Sequence, residues 1–318
     1  MSEIKQSSIK QVVAEYLSTH DKYLIIMHVN PDGDCVGSAA GLCLLLQAMG
    51  KTAYVLPDDD LSDMLEYYVS ALYPPDDYAP NVHIVVDTAS RARLSRKSPE
   101  RIDLAIDHHA SHKHFAEFTH VEFAAACGEI IYQLYGALNI PLTADAAEAL
   151  YVAVSTDTGC FRYGNTSPQS HRIAAALMEC GFDVGDVNVR FFEQKSLTRL
   201  KLEQTVFAGM ETLHDGQVIV MTVTRAVMAV LGAKACDTEE LSGLTRTVKS
   251  CRIGIMLREQ DDGVRISVRT VPPYNATAIC GALGGGGHAQ AAGCTVACSI
   301  DEARRLVLDV VYGLYPDI

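Results

Sequence analysis

The chain has 318 residues, 26 Lys and Arg against 39 Asp and Glu, and a formal charge of −13 at pH 7. Hydrophobic residues at 48% with charged residues at 20% describe a chain that buries a core, which excludes a disordered protein. The length predicts two domains, since single cores seldom grow past roughly 250 residues. The acidity argues against a protein that grips long duplex nucleic acid by counterion release.

Nothing reads as an address or a membrane anchor. The first twenty residues, MSEIKQSSIKQVVAEYLSTH, are polar and lack the apolar run of a signal peptide. The most apolar stretch, 35–49, is broken by Gly37, Ser38, Gly41 and Gln47 and is shorter than the ~20 residues of a membrane span. Ten cysteines occur without a CxxC, several of them (Cys43, Cys127, Cys180, Cys280) among apolar residues. This usage predicts reduced thiols in a cytoplasmic protein.

In chain order, 22–29 (KYLIIMHV) reads as a buried strand and 36–49 as an apolar helix behind it. A short strand at 52–56 precedes a helical stretch near 61–72, and 81–87 (NVHIVVD) and 102–107 (IDLAID) read as the third and fourth strands. Continuous apolar strands separated by helices imply a parallel sheet with helices on both faces. Helices follow over 128–138, 143–155, 168–180 and 184–192, the second capped by Thr143. A charged helical stretch near 195–210 suits a connector. Strands return at 217–223, 252–259 and 263–270, the last two joined by a DDG hairpin turn. A glycine-rich segment at 281–293 then precedes a final strand and a closing helix at 301–314. The predicted class is α/β, with a parallel-sheet domain over 1–192, a connector over 193–212 and a smaller α/β domain over 213–318.

Charge is unevenly shared. Residues 1–190 carry 13 basic and 25 acidic side chains, a net of −12, and residues 191–318 carry 13 and 14. In the second part Arg246, Lys249, Arg252, Arg258, Arg265 and Arg269 form a basic cluster.

The strongest chemical signal is where acids and histidines fall relative to the strands. An open parallel sheet binds ligands beyond the carboxyl ends of its strands. Strand one runs into His28, Asp32 and Asp34, strand three ends at Asp87, and strand four ends in Asp107, His108 and His109. Asp157, in the turn STDTG, is placed to close the cluster. A lone Asp in a loop is ordinarily a cap or turn residue, but chance does not put such clusters after three strands of one sheet. So many unpaired carboxylates would repel one another, a conflict that a pair of divalent cations removes. Carboxylate with imidazole and no thiolate suits Mn²⁺, Mg²⁺ or Zn²⁺. Two such ions ~3.5–4 Å apart serve hydrolysis of a phosphoester.

The segments HVNPDGDCVGS (28–38), VVDT (85–88), DHH (107–109), STDTG (155–159) and GGGGHAQAAG (284–293) resemble the motifs of the DHH phosphoesterase family. The subfamily resembled is the one whose second domain is of the DHHA1 type. The resemblance implies that His28, Asp32 and Asp87 hold one metal, usually Mn²⁺, and that Asp34, Asp87, His108 and Asp157 hold the other. It implies that His109 faces the phosphate as ligand-binding group or proton donor, with Asp107 orienting the histidines. Arg162 looks like the family's phosphate-contacting arginine. In the second domain Ser267, Arg269 and His288 match the positions that grip substrate, with Gly285, Gly286 and Gly287 offering backbone N–H groups to an anion.

Length and motif content choose among the family's substrates. The chain leaves no room for the extra domain of the large single-strand exonucleases, has the GGGGH segment that the pyrophosphatases lack, and lacks transmembrane segments. It resembles the stand-alone nano-RNases, which trim short oligoribonucleotides and also remove the 3′-phosphate of adenosine 3′,5′-bisphosphate. Cleavage of linear or cyclic di-adenylate is the alternative. A non-catalytic cyclic-dinucleotide sensor is disfavoured, because every ligand position is filled by Asp or His. A homodimer through the first domain is implied by the resemblance alone.

Overall fold

Four apolar residues, Tyr23–Ile26, form strand β1, and all four are buried because the strand runs inside a sheet with a neighbour on each side. The computed structural model describes residues 2–58, 61–238 and 241–318. They divide into two compact units, Met1–Gln194 and Lys195–Ile318. In the first unit α1 (Ser2–Thr19) leads into β1, followed by α2 (Gly33–Ala48), β2 (Ala53–Val55), α3 (Asp63–Glu66), β3 (Val82–Val86), β4 (Leu104–Asp107) and β5 (Phe118–Val121). Helices α4 (Cys127–Leu138), α5 (Ala144–Asp157), α6 (Pro168–Met178) and α7 (Val184–Asn188) run on to a π-helical turn at Val189–Glu193.

The strands are parallel and lie in the order β2-β1-β3-β4-β5. The chain therefore departs to opposite sides at β1 and β3, which makes their carboxyl ends the switch point of the sheet. Strand β5 was not anticipated: FTHV is short, and only His120 is buried among its four residues. Tyr23, Ile25, Ile84 and Ile106 face the large core under α2, α4 and α5. The other face is smaller than the expected layer of helices. There Leu24, Ile26, Val85 and Ile102 are covered by Leu56, Leu94 and Phe115 from connecting segments. Those connections, ASRARLSRKSPER and HASHKHFAE, are too polar to carry an apolar helical face.

Helix α2 meets α5 along a stripe of glycines. A Cβ added at Gly33 would lie 2.5 Å from the Thr156 side chain, at Gly37 2.2 Å from Ala149 O, and at Gly41 2.5 Å from the Leu150 side chain. The stripe lets the two backbones approach, and it brings the first turn of α2 beside the last turn of α5. Asp34 and Asp157 sit in those two turns.

The second unit contains α8 (Leu197–Ala208), β6 (Glu211–Leu213), β7 (Val218–Val223), α9 (Arg225–Leu231), β8 (Ile253–Gln260), β9 (Gly263–Thr270), α10 (Ala276–Gly281), β10 (Gly286–His288), β11 (Ala291–Val296) and α11 (Ile300–Leu314). Its sheet has the order β10-β11-β9-β8-β7-β6, with β7–β8 parallel and the other pairs antiparallel. One face packs on Ile279, Val307 and Val311 of α10 and α11. The other packs on Leu202 and Val206 of α8, so the helix expected as a connector belongs to the second unit's own core. The glycine-rich segment follows α10, supplies the edge strand β10, and precedes β11 and the closing helix α11 in the order expected. No described helix is long and apolar enough to cross a membrane.

Candidate metal centre

Each ligand-bearing side chain is delivered by the end of an element. Asp32 is the N-cap of α2, its carboxylate accepting from the Cys35 N–H at 3.1 Å. That bond turns the chain after β1 so that Asp34 enters the first turn of the helix. Asp87 follows β3 with φ +50°, a left-handed conformation costly for a residue with a Cβ. Its N–H donates to Ile106 O at 2.9 Å, which ties it to β4. His108 and His109 follow β4, and Asp157 ends α5.

These residues converge. His108 Nε2 lies 3.3 Å from Asp87 Oδ1, 3.7 Å from Asp34 Oδ2 and 3.7 Å from Asp157 Oδ2. His28 Nε2 lies 3.8 Å from Asp87 Oδ2 and 4.0 Å from Asp32 Oδ1. Asp87 thus presents one oxygen to each histidine. Asp34, Asp87, His28 and Asp107 are buried, while the Asp32 side chain is 65% exposed. Ligand atoms of Asp34, His108 and Asp157 lie within 4.8 Å of one another, as do those of His28, Cys35 and Asp87. Cys35 is the member absent from the sequence reading. Burial pushes its thiol well up, and its Sγ faces Val86 O at 3.9 Å.

Hydrogen bonds orient the ligands. His108 Nδ1 lies 3.1 Å from Ala124 O, so Nδ1–H donates there and Nε2 turns to the cluster. Asp34 accepts from Ser38 Oγ at 2.9 Å and from the Cys127 and Gly128 N–H groups at 2.7 and 3.0 Å. His28 Nδ1 is 3.0 Å from Val29 O and 2.9 Å from Arg93 Nη2, contacts that demand opposite tautomers. The form donating to Val29 O leaves Nε2 free for a cation. Sequence reading missed Arg93, since no spacing ties it to His28; only the antiparallel bridge between His28 and Leu94 brings them together.

The electrostatics are those of a site built around positive charge. Burial pushes the Asp87 carboxyl well up, with Asp34 adding to the effect, and burial also raises Asp34. Burial, then Asp34, pushes Asp157 up to about 7. Burial alone would lower the His108 imidazole, but Asp87, Asp34 and Asp157 outweigh it and hold the group up at about 11. His28 is lowered by burial and by Arg93, against the pull of Asp32. His108 Nε2 is the charged neighbour of Asp87 Oδ1 at 3.3 Å, but Asp34 and Asp157 crowd the same nitrogen at 3.7 Å each. Three carboxylates around one imidazole carry more negative charge than it answers, and burying the excess costs free energy unless a cation balances it, so this donor set fits a divalent ion.

His109 and Asp107 form a second layer. Asp107 Oδ1 accepts from His109 Nδ1 at 2.7 Å and from the His108 N–H at 2.8 Å. Burial would raise Asp107, but the His109 contacts outweigh it and hold the carboxyl below its usual range. Arg162 is exposed, with Nε donating to Gly159 O at 2.6 Å. Nearby, Asn165 Nδ2 donates to Ala125 O and to Asp157 O, both at 3.1 Å, and braces the loop beside His108.

In the second unit Ser267 and Arg269 alternate along β9 with the buried Ile266 and Val268, which puts them on the face opposite α11. In register they stand beside Gly293 and Ala291 of β11, which in turn pair with Gly286 and His288. A Cβ at Gly285 would lie 2.3 Å from Gly293 O, and one at Gly287, where φ is +144°, 2.6 Å from Ala291 O. His288 is exposed.

A five-stranded parallel α/β unit with acids and histidines at its strand ends, followed in the chain by a mixed-sheet unit, defines a class. The chain belongs to the DHH family: the model of the DHH family, N-terminal domain, matches residues 22–154, and that of the DHHA1 domain matches 215–312. It is a phosphoric ester hydrolase of that family. It is 31% identical over 315 residues to the bifunctional oligoribonuclease and PAP phosphatase NrnA of Thermus thermophilus, covering 95% of this chain and 93% of that one. Its fold matches an exopolyphosphatase-related protein from Bacteroides fragilis with a TM-score of 0.86 at 23% identity, over 97% of both chains. It also matches RecJ in complex with Mn²⁺ from Thermus thermophilus, with a TM-score of 0.51 at 14% identity, over 95% of this chain and 54% of RecJ.

Proposed function

We propose that this protein hydrolyses short oligoribonucleotides to mononucleotides and removes the 3′-phosphate of adenosine 3′,5′-bisphosphate. The observation that carries the reading is Asp87, whose two oxygens face His108 and His28 at 3.3 and 3.8 Å in a buried site. The similarity to NrnA over nearly the whole chain supports the choice of substrates.

In this reading His28, Asp32 and Asp87 hold one divalent cation and Asp34, Asp87, His108 and Asp157 hold a second, with Mn²⁺ the expected metal. When bound, the pair supplies a Lewis acid for the phosphoryl oxygen and an acidified water. His109, held through Nδ1–H by Asp107, gives the leaving oxygen the Nε2 proton of its imidazolium form and is left as the neutral Nδ1–H ring. Arg162 contacts the phosphate. Ser267, Arg269, His288 and the backbone of Gly285–Gly287 hold the substrate's terminal phosphate. The net charge of −12 over residues 1–190 opposes a long polyanion spread over the surface more than a short one held locally. The reading includes a homodimer through the first unit and action in the cytoplasm.

The test is hydrolysis by the Mn²⁺-loaded protein of pApA, adenosine 3′,5′-bisphosphate and a 20-mer RNA. The dinucleotide and the bisphosphate should turn over faster than the 20-mer. Equal rates on the 20-mer and the dinucleotide would sink the short-substrate reading.

A further inference from the structure

Behind Asp107 lies a histidine that no motif includes. His112 has its ring almost wholly enclosed, 1% exposed, and stacked on Phe115 with centroids 5.2 Å apart at 19°. Its Nδ1 accepts from the His114 N–H at 2.9 Å. In the neutral ring the proton must then sit on Nε2. That Nε2 points toward Asp107 Oδ2 at 3.9 Å, and neither atom has a hydrogen-bond partner among the described residues. Asp107 is fully buried, and its bonds to His108 and His109 all use the other oxygen, Oδ1.

We propose that His112 is a positioning residue for His109, acting through Asp107. A buried donor and a buried acceptor that face each other unpaired are each costly. An approach of about 1 Å brings them to an ordinary N–H···O length of roughly 2.9 Å. The resulting chain runs from His112 Nε2–H to Asp107 Oδ2, and from Asp107 Oδ1 to His109 Nδ1–H. It holds the Asp107 carboxylate in one orientation, so that the His109 Nδ1–H stays bound to Asp107 Oδ1 and Nε2 is aimed at the leaving oxygen, to which the imidazolium form gives its Nε2 proton and returns to the neutral Nδ1–H ring. The stack on Phe115 and the bond from His114 prevent the His112 ring from turning away. The inference rests on the reading of His109 as the proton-transfer group.

His112→Phe keeps the stacked ring and removes the donor, whereas His112→Gln keeps an N–H donor. With Mn²⁺-loaded enzyme and pApA, His112→Phe should lower kcat by about 10–100-fold, the usual cost of losing such a supporting partner. KM and the Kd for Mn²⁺ should stay within about twofold, and His112→Gln should recover most of kcat. A kcat within twofold of wild type for His112→Phe overturns the proposal. So does a loss that His112→Gln shares and that parallels a loss of Mn²⁺ affinity, since that pattern reports damage to the fold. ¹⁵N NMR of the wild-type protein provides a readout independent of turnover and of variant folding. It should find His112 protonated at Nε2 and His109 at Nδ1, and protonation of His112 at Nδ1 overturns the proposal. If wild type fails to cleave pApA, the functional reading falls, while the NMR result still decides the relay.

Discussion

His108 Nε2 stands 3.3 Å from Asp87 Oδ1, with Asp34 and Asp157 each 3.7 Å from the same nitrogen. In the metal-free protein the imidazolium, held up at about 11 by these carboxylates, is the local counter-charge. Coordination requires neutral imidazole, so a cation must displace that proton. Below about 7 Asp157 carries a proton as well. The Kd for Mn²⁺ should therefore fall by at least about tenfold per pH unit above pH 7, and more steeply below it. Calorimetric titrations at pH 6, 7 and 8, in buffers of different ionisation enthalpy, count the protons released. A Kd that does not change with pH would contradict the exchange.

Asp87→Asn should separate stability from function. Burial and Asp34 raise the Asp87 carboxyl, so its ionisation opposes folding. The stability of the metal-free protein present at low pH is lost as pH rises through the folded-state value. The amide removes this cost at neutral pH. The metal-free variant should melt a few degrees above wild type, while Mn²⁺ no longer raises its Tm. A metal-free Tm below wild type would show that Asp87 is held by interactions stronger than its repulsion.

His108→Ala and Asp157→Ala should each reduce turnover of pApA by more than ~100-fold, beyond the 10–100-fold range for residues that merely support a ligand. Arg269→Ala should raise KM by about tenfold with kcat near wild type, as expected of a group used in binding alone. A matching fall in kcat for Arg269→Ala would place that residue in the chemical step.

Gly37→Ala tests the helix packing that assembles the site. A Cβ there would meet Ala149 O at 2.2 Å, a backbone atom that cannot swing aside. Overpacking of this kind costs about 1–3 kcal/mol, read as a lower urea midpoint. Mn²⁺ affinity should fall too, because separating α2 from α5 separates Asp34 from Asp157. Unchanged affinity would show that the two helix ends are held independently of the stripe.

The parallel strands were legible because a strand buried on both faces must be apolar throughout, as Tyr23–Ile26 is. Strand β5 was not, since in FTHV only His120 is buried and no turn residue brackets the run. The edge strand Gly286–His288 escaped for a related reason: glycines have no side chains and so no alternation to read. Arg93 and His112 escaped because their meaning lies in one contact each, with His28 and with Asp107, and no periodicity reports a contact.

The chain's order of residues by itself determined which chemistry is present: acids and imidazoles at strand ends, thiols kept among apolar neighbours, and a charge of −13 concentrated in the first 190 residues. These follow from composition and local pattern, which need no folded neighbour. Tertiary structure decided which groups meet. The approach of α2 to α5 along Gly33, Gly37 and Gly41 joins Asp157 to a cluster otherwise delivered by the sheet. The strand-end turn at Asp87, held by Ile106 O, aims one carboxylate at two histidines. Distances of 3–4 Å between residues far apart in the chain depend on packed backbones, and packing belongs to the fold as a whole.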